Sequence, residues 1–291
     1  MRRSRLVAGA AAAALTVTAA LTVTTVTATT VTAAAAGTGP PMARPVPAVM
    51  LLAAVAPVRY VALGDSYSAG TGAGDYGSSG SCERSADAYP EQWADHHATA
   101  SFVSVACSGA TTSGVLSSQL TALNARTTLV SITVGGNDAG FAHVMEICVI
   151  EWDSACLNAV SSAEAFAAGT LPGRLGATLQ AVRAHAPSAR VVVVGYPELF
   201  DLSASPDCIG LSTTKRTALN RGADDLDRAL AAAAARYGDV FADVRGQFAG
   251  HEICDSVSWL HALTFPIGDS YHPTAAGQEL GYLPVFTAAA G

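Results

Sequence analysis

The sequence predicts an α/β domain, a three-layer α/β/α sandwich around a central parallel sheet. Two observations carry this. Five short runs rich in β-branched residues, 58–63, 102–106, 129–134, 190–195 and 240–244, are too apolar for a sheet with one wet face. Helical stretches separate them, and buried strands alternating with helices require crossover connections, which cover both faces of a parallel sheet.

The chain begins with Arg2, Arg3 and Arg5, an alanine-rich apolar stretch over 6–21, and a Thr/Val/Ala tract ending in four alanines at 33–36. A basic start, an apolar middle and a small-residue end read as an export signal over 1–36. Threonines interrupt the second half of the run, which argues against a retained membrane anchor. The Arg2-Arg3 pair does not by itself establish a twin-arginine signal. Residues 37–57 hold five prolines and read as a linker or pro-segment. Within them the apolar run 46–56 is too short to span a bilayer, and Pro57 opposes cleavage after Ala56. The catalytic domain is expected over 58–291.

Between the strands, helices are expected over 90–97, 117–124, a region after Asp138, 171–185, and 213–237 with a Ser/Thr start and Gly238 as its stop. A last helix follows Thr274. The chain has 16 basic and 23 acidic residues, a single lysine (Lys215) and a net charge of −7. Removing residues 1–36 takes away three arginines and no acid, so the balance becomes 13 against 23, or −10. Such a chain offers no basic footprint for nucleic acid or anionic lipid, and neutral substrates suit it better than polyanions.

Six cysteines, Cys82, Cys107, Cys148, Cys156, Cys208 and Cys254, all follow the signal. An even number in an exported chain points to disulfides. Of the fifteen possible pairings, the sequential one is expected, since Cys148 and Cys156 bracket a short loop and the other pairs tie loops near the candidate chemistry. No C-x-x-C spacing supports zinc or thioredoxin-like chemistry, and no metal or cofactor is expected.

In a parallel α/β sheet, ligands sit at the carboxyl ends of the strands. The first strand runs into Gly64-Asp65-Ser66-Tyr67-Ser68, the second into Cys107-Ser108-Gly109-Ala110, and the third into Gly135-Gly136-Asn137-Asp138. Near the end of the chain, Asp269 precedes His272 by three residues. Each block alone would be an ordinary turn, a local cap or a loop with an exposed histidine. Together they bring a serine, a histidine, a carboxylate and amide donors to one rim.

The four blocks, in this order, resemble the GDSL/SGNH hydrolases, and within them the secreted actinomycete lipases and esterases, over essentially 58–291. The resemblance implies the flavodoxin-like SGNH hydrolase fold and a serine esterase acting on carboxylic esters through an acyl-enzyme. Ser66 is then the nucleophile, His272 the base and Asp269 the acid that orients it. The Ser66 and Gly109 backbone N–H groups and the Asn137 amide form the oxyanion hole. In some actinomycete relatives a backbone carbonyl replaces the acid, and the Trp259-Leu260 segment resembles theirs.

Other readings fail on the residues. Gly70 to Gly74 misses the third glycine of a dinucleotide loop, which would fall on Asp75, and is expected to form a flexible flap. His251-Glu252 lacks the second histidine of a zinc protease. The serine turn is not G-x-S-x-G, since Ser68 stands at the fifth position. Tyr67, Tyr76 and Tyr271 are candidates to line an acyl pocket. The expected partner is a small-molecule or lipid ester, with no nucleic acid and no stable membrane anchor, handled by a secreted monomer. Carbohydrate deacetylation and a non-catalytic extracellular binding module are the alternatives.

Overall fold

The computed structural model describes residues 57–204 and 208–291. The expected signal and nearly all of the linker lie outside the described residues. Strand β1, Val58–Gly64, occupies the interior of the sheet, with β2, Thr99–Ser104, on one side and β3, Leu129–Thr133, on the other. Beyond β3 lie β4, Arg190–Val194, and β5, Val240–Ala242. All pairings are parallel and the order is β2-β1-β3-β4-β5. Every residue of β3 is buried, as the uninterrupted Leu-Val-Ser-Ile-Thr run requires of a strand covered on both faces.

Strand β2 departs from the expectation of full burial. It starts three residues earlier than its apolar run and leaves Val103 45% exposed. It is an edge strand with a neighbour on one side only, so its outer backbone and alternate side chains meet solvent.

Nine α-helical segments are described: α1 Ser66–Ala69, α2 Tyr89–His96, α3 Thr112–Gly114, α4 Phe141–Ile150, α5 Asp153–Gly169, α6 Leu171–His185, α7 Thr213–Tyr237, α8 Arg245–Phe248 and α9 Leu283–Ala290. Helices α2 and α9 pack together, and α6 packs against α7. The rings of Tyr60, Trp93 and Phe286 meet where β1, α2 and α9 join. Helix α7 ends as expected at Gly238, whose φ of +70° places it in the left-handed region that glycine adopts without penalty.

The helix expected over 117–124 is instead a segment of changing pitch: α3, then a π turn Val115–Gln119 and a 3₁₀ turn Leu120–Ala122. The π turn ends on buried Gln119, whose amide accepts from the Gly64 N–H and donates to the Gly64 carbonyl, both at 2.8 Å. A side chain therefore satisfies both backbone groups where β1 stops, and the regular helix gives way to it. The helical region after Asp138 is two helices, α4 and α5, broken at Glu151 and Trp152. The cysteines pair Cys82–Cys107, Cys148–Cys156 and Cys208–Cys254.

Candidate active site

Ser66 is the first residue of α1, directly beyond β1. Asp65 caps this short helix, accepting from the Tyr67 N–H at 3.1 Å. Its other carboxylate oxygen accepts from the Tyr196 hydroxyl at 2.5 Å, and that hydroxyl accepts from the Gly136 N–H at 3.1 Å. Tyr196 follows β4 and joins the serine turn to the turn after β3. Burial pushes the Asp65 carboxyl up to about 7, against the lowering effect of its Tyr196 and Tyr67 hydrogen bonds.

His272 arrives on the loop before the last helices. The Tyr67 hydroxyl donates to the Tyr271 carbonyl at 2.8 Å, and the His261 N–H donates to the His272 carbonyl at 2.9 Å. The Gly70 to Gly74 turn is tethered to the same loop. The Gly72 N–H donates to the Tyr76 hydroxyl, which donates to Asp269 Oδ1, and His261 Nε2 lies 2.8 Å from the Gly72 carbonyl. The expected free flap is thus held against the histidine loop. These ties set His272 Nε2 2.8 Å from Ser66 Oγ, within reach for proton transfer.

Asp269 is brought close but not onto the ring: its Oδ1 accepts from Tyr76. His272 Nδ1 is buried and makes no well-formed hydrogen bond. Burial pushes the imidazole down to about 4; the Ser270 and then the Gly268 backbone carbonyls act against this, followed by the Asp269 charge. The Trp259 carbonyl, on the segment flagged by the sequence, accepts from Thr274 instead.

Among the described residues, neither the Ser66 nor the Gly109 backbone N–H donates to another group. Gly109 has φ +78°, which calls for glycine, and nothing lies within 4 Å of where a Cβ would sit, so the space beside it is open. The Asn137 amide donates one N–H to the Ala110 carbonyl at 3.0 Å, which leaves its second N–H for another acceptor. Asp138 braces the same two turns by accepting from the Thr112 N–H and hydroxyl at 2.8 and 2.6 Å, and Arg174 pairs with it at 3.1 Å. Among the described residues, no group of three or more His, Cys, Asp or Glu side chains converges as metal ligands.

A cavity of about 80 Å³ opens from Ser66 beneath α4, α5 and α7. Phe141, Val144, Val160, Ala163, Ala167, Leu219 and Leu226 form its apolar walls. Of the three candidate tyrosines, Tyr67 lines it; Tyr76 is occupied with Asp269, and Tyr271 packs against Phe200. Tyr196 also lines it. The sequence reading missed Tyr196, although its place just beyond the carboxyl end of β4 was a usable signal.

The model of the GDSL-like Lipase/Acylhydrolase family matches residues 62–280, which contain all four blocks. The chain belongs to this family. Among relatives of this GDSL-type hydrolase, Lipase 1 of Streptomyces coelicolor is 53% identical over 233 residues, covering 79% of this chain and 86% of that one. The crystal structure of an extracellular lipase from Streptomyces rimosus superposes with a TM-score of 0.78 at 50% identity, over 80% of this chain and 99% of that one. A phospholipase A1 from Streptomyces albidoflavus matches equally, with a TM-score of 0.78 and 52% identity over 80% and 100% of the two chains. The GDSL-type chain is therefore a hydrolase of carboxylic esters with a five-stranded parallel α/β fold.

Proposed function

We propose that the protein is an exported lipid-ester hydrolase in which Ser66 attacks the ester carbonyl and His272 takes its proton. The observation that carries this reading is the 2.8 Å contact between Ser66 Oγ and His272 Nε2 at the mouth of an apolar cavity. A serine hydroxyl becomes an effective nucleophile when a neutral imidazole accepts its proton, and the low pKa of His272 keeps that ring neutral at pH 7. The Ser66 and Gly109 N–H groups and the second Asn137 N–H supply three donors for the developing oxyanion. The tetrahedral intermediate collapses with loss of the alcohol, to which His272 gives that proton. A water that His272 then deprotonates hydrolyses the acyl-enzyme, and the proton returns to Ser66 as the carboxylic acid leaves.

The Asp269 carboxylate is engaged by Tyr76, and the Ser270 and Gly268 backbone carbonyls act on the ring ahead of the Asp269 charge, which favours backbone carbonyls over Asp269 as the groups that orient His272. The apolar cavity favours an acyl chain over a sugar, and so supports lipid esters over carbohydrate acetates. Export is supported by the three disulfides and by the extracellular lipase of Streptomyces rimosus. A monomer suffices, because one chain supplies every proposed group.

The test is hydrolysis of a p-nitrophenyl ester series from acetate to palmitate. Ser66→Ala should lower kcat by at least about 10⁴-fold while leaving thermal unfolding unchanged. Turnover confined to acetate would transfer the assignment to small esters, and residual wild-type turnover in the variant would exclude Ser66.

A further inference from the structure

From Ser256 to Gly268 the chain carries no Asp, Glu, Lys or Arg. This is the approach to His272, and at alternate positions near its end apolar side chains stand in solvent: Leu263 54%, Phe265 91% and Ile267 61% exposed. Single exposed apolar residues are ordinary, but three within five residues form a patch. The loop is braced. Ser270 Oγ accepts from the Thr264 N–H at 3.0 Å and lies 3.3 Å from its carbonyl, and the Asp269 N–H donates to the Pro266 carbonyl. Phe265 and its neighbours are therefore presented on a fixed backbone, and binding through them orders little chain.

We propose that this loop docks the enzyme onto a lipid–water interface of neutral or zwitterionic headgroups, with Leu263, Phe265 and Ile267 entering the apolar layer. The inference rests on the lipid-ester reading above. Three features select this occupant. The loop is uncharged and the chain is acidic, with 23 acidic against 16 basic residues, so an anionic surface would repel the body of the protein. The loop carries His272 and is tied to the Gly72 turn, so a surface held by it lies beside the reacting groups. The three side chains offer roughly a few hundred Å² of apolar area, short of the about 800 Å² per partner that a stable dimer buries. Trp152, 83% exposed at the α4–α5 corner, is not part of this surface, because Glu151 and Asp153 flank it and immersion would desolvate both carboxylates.

The experiment measures sedimentation of the full chain with phosphatidylcholine vesicles, in a Ser66→Ala background so that no lipid is consumed. Phe265→Ser with Ile267→Ser should weaken partition by about 30-fold or more, and each single change by a smaller factor. In the active enzyme the same pair should leave kcat/KM on soluble p-nitrophenyl acetate within about twofold and lower vesicle hydrolysis at least about tenfold. Unchanged partition, or equal losses on both substrates, would overturn the proposal. So would tighter binding to phosphatidylglycerol vesicles, or a dimer that the substitutions disperse. Absence of soluble-ester turnover in the parent enzyme would instead sink the esterase reading, and vesicle binding by the Ser66→Ala chain would still test the loop.

Discussion

At the scale of residues, Asp269 and His272 beside the nucleophile separate the roles of carboxylate and carbonyl. If Asp269 oriented His272 as an ion-pair partner, its removal would cost about 10⁴ in kcat, the loss typical of a triad acid. Because its carboxylate accepts from Tyr76, Asp269→Asn is expected to lower kcat/KM by less than about tenfold, measured on a soluble ester. The pH profile is a second check. The histidine must be neutral to accept the serine proton, and burial moves its pKa from 6.5 to about 4. The acid limb of kcat/KM should therefore inflect at least about one unit below 6.5, and an inflection at or above 6.5 would mean that a negative charge dominates the ring.

At the scale of elements, the site depends on loops that lock against one another beyond the strands. Gly72 has φ +90°, and a Cβ there would lie 2.7 Å from the Pro273 carbonyl and 3.0 Å from His272 Cβ. Gly72→Ala should push the histidine loop away from Ser66 and lower kcat by about 10²-fold, with secondary structure by circular dichroism intact. The same loops explain where sequence reading stopped. The glycine-rich turn reads as flexible because glycine is permissive, yet His261 holds it directly and Asp269 holds it through the neighbouring Tyr76, both from a segment nearly two hundred residues away. Likewise 117–124 reads as a helix, but Gln119 serves the Gly64 backbone 55 residues earlier, and no local pattern announces that demand.

At the scale of the whole molecule, stability should fall as pH rises from 5 to 8. Burial raises Asp65 and Asp227 from 3.8 to about 7 and Asp239 to about 6, so the folded state keeps three protons that the unfolded state releases. Their contribution is complete below 3.8 and is lost as pH rises through about 6 to 7. His272 works in the opposite sense, its contribution being present above 6.5 and lost as pH falls toward 4, but it is one group against three. Calorimetry should give a lower Tm at pH 8 than at pH 5. Asp227→Asn should reduce that decline by roughly a third. A Tm that climbs over this range would mean that these carboxylates ionise in the folded state at ordinary pH.

The sequence alone determined the α/β class, the five strands and the four blocks that converge at their carboxyl ends, because each is written in a local run of β-branched residues or a short turn motif. It also determined the acidic, uncharged-loop character of the surface, which is a matter of composition. Tertiary structure decided that the Asp269 carboxylate bonds Tyr76, that Tyr196 links the serine and asparagine turns, and that α4, α5 and α7 enclose the cavity. Those depend on contacts between segments tens to hundreds of residues apart, whose side chains meet only when the sheet orders the strands β2-β1-β3-β4-β5.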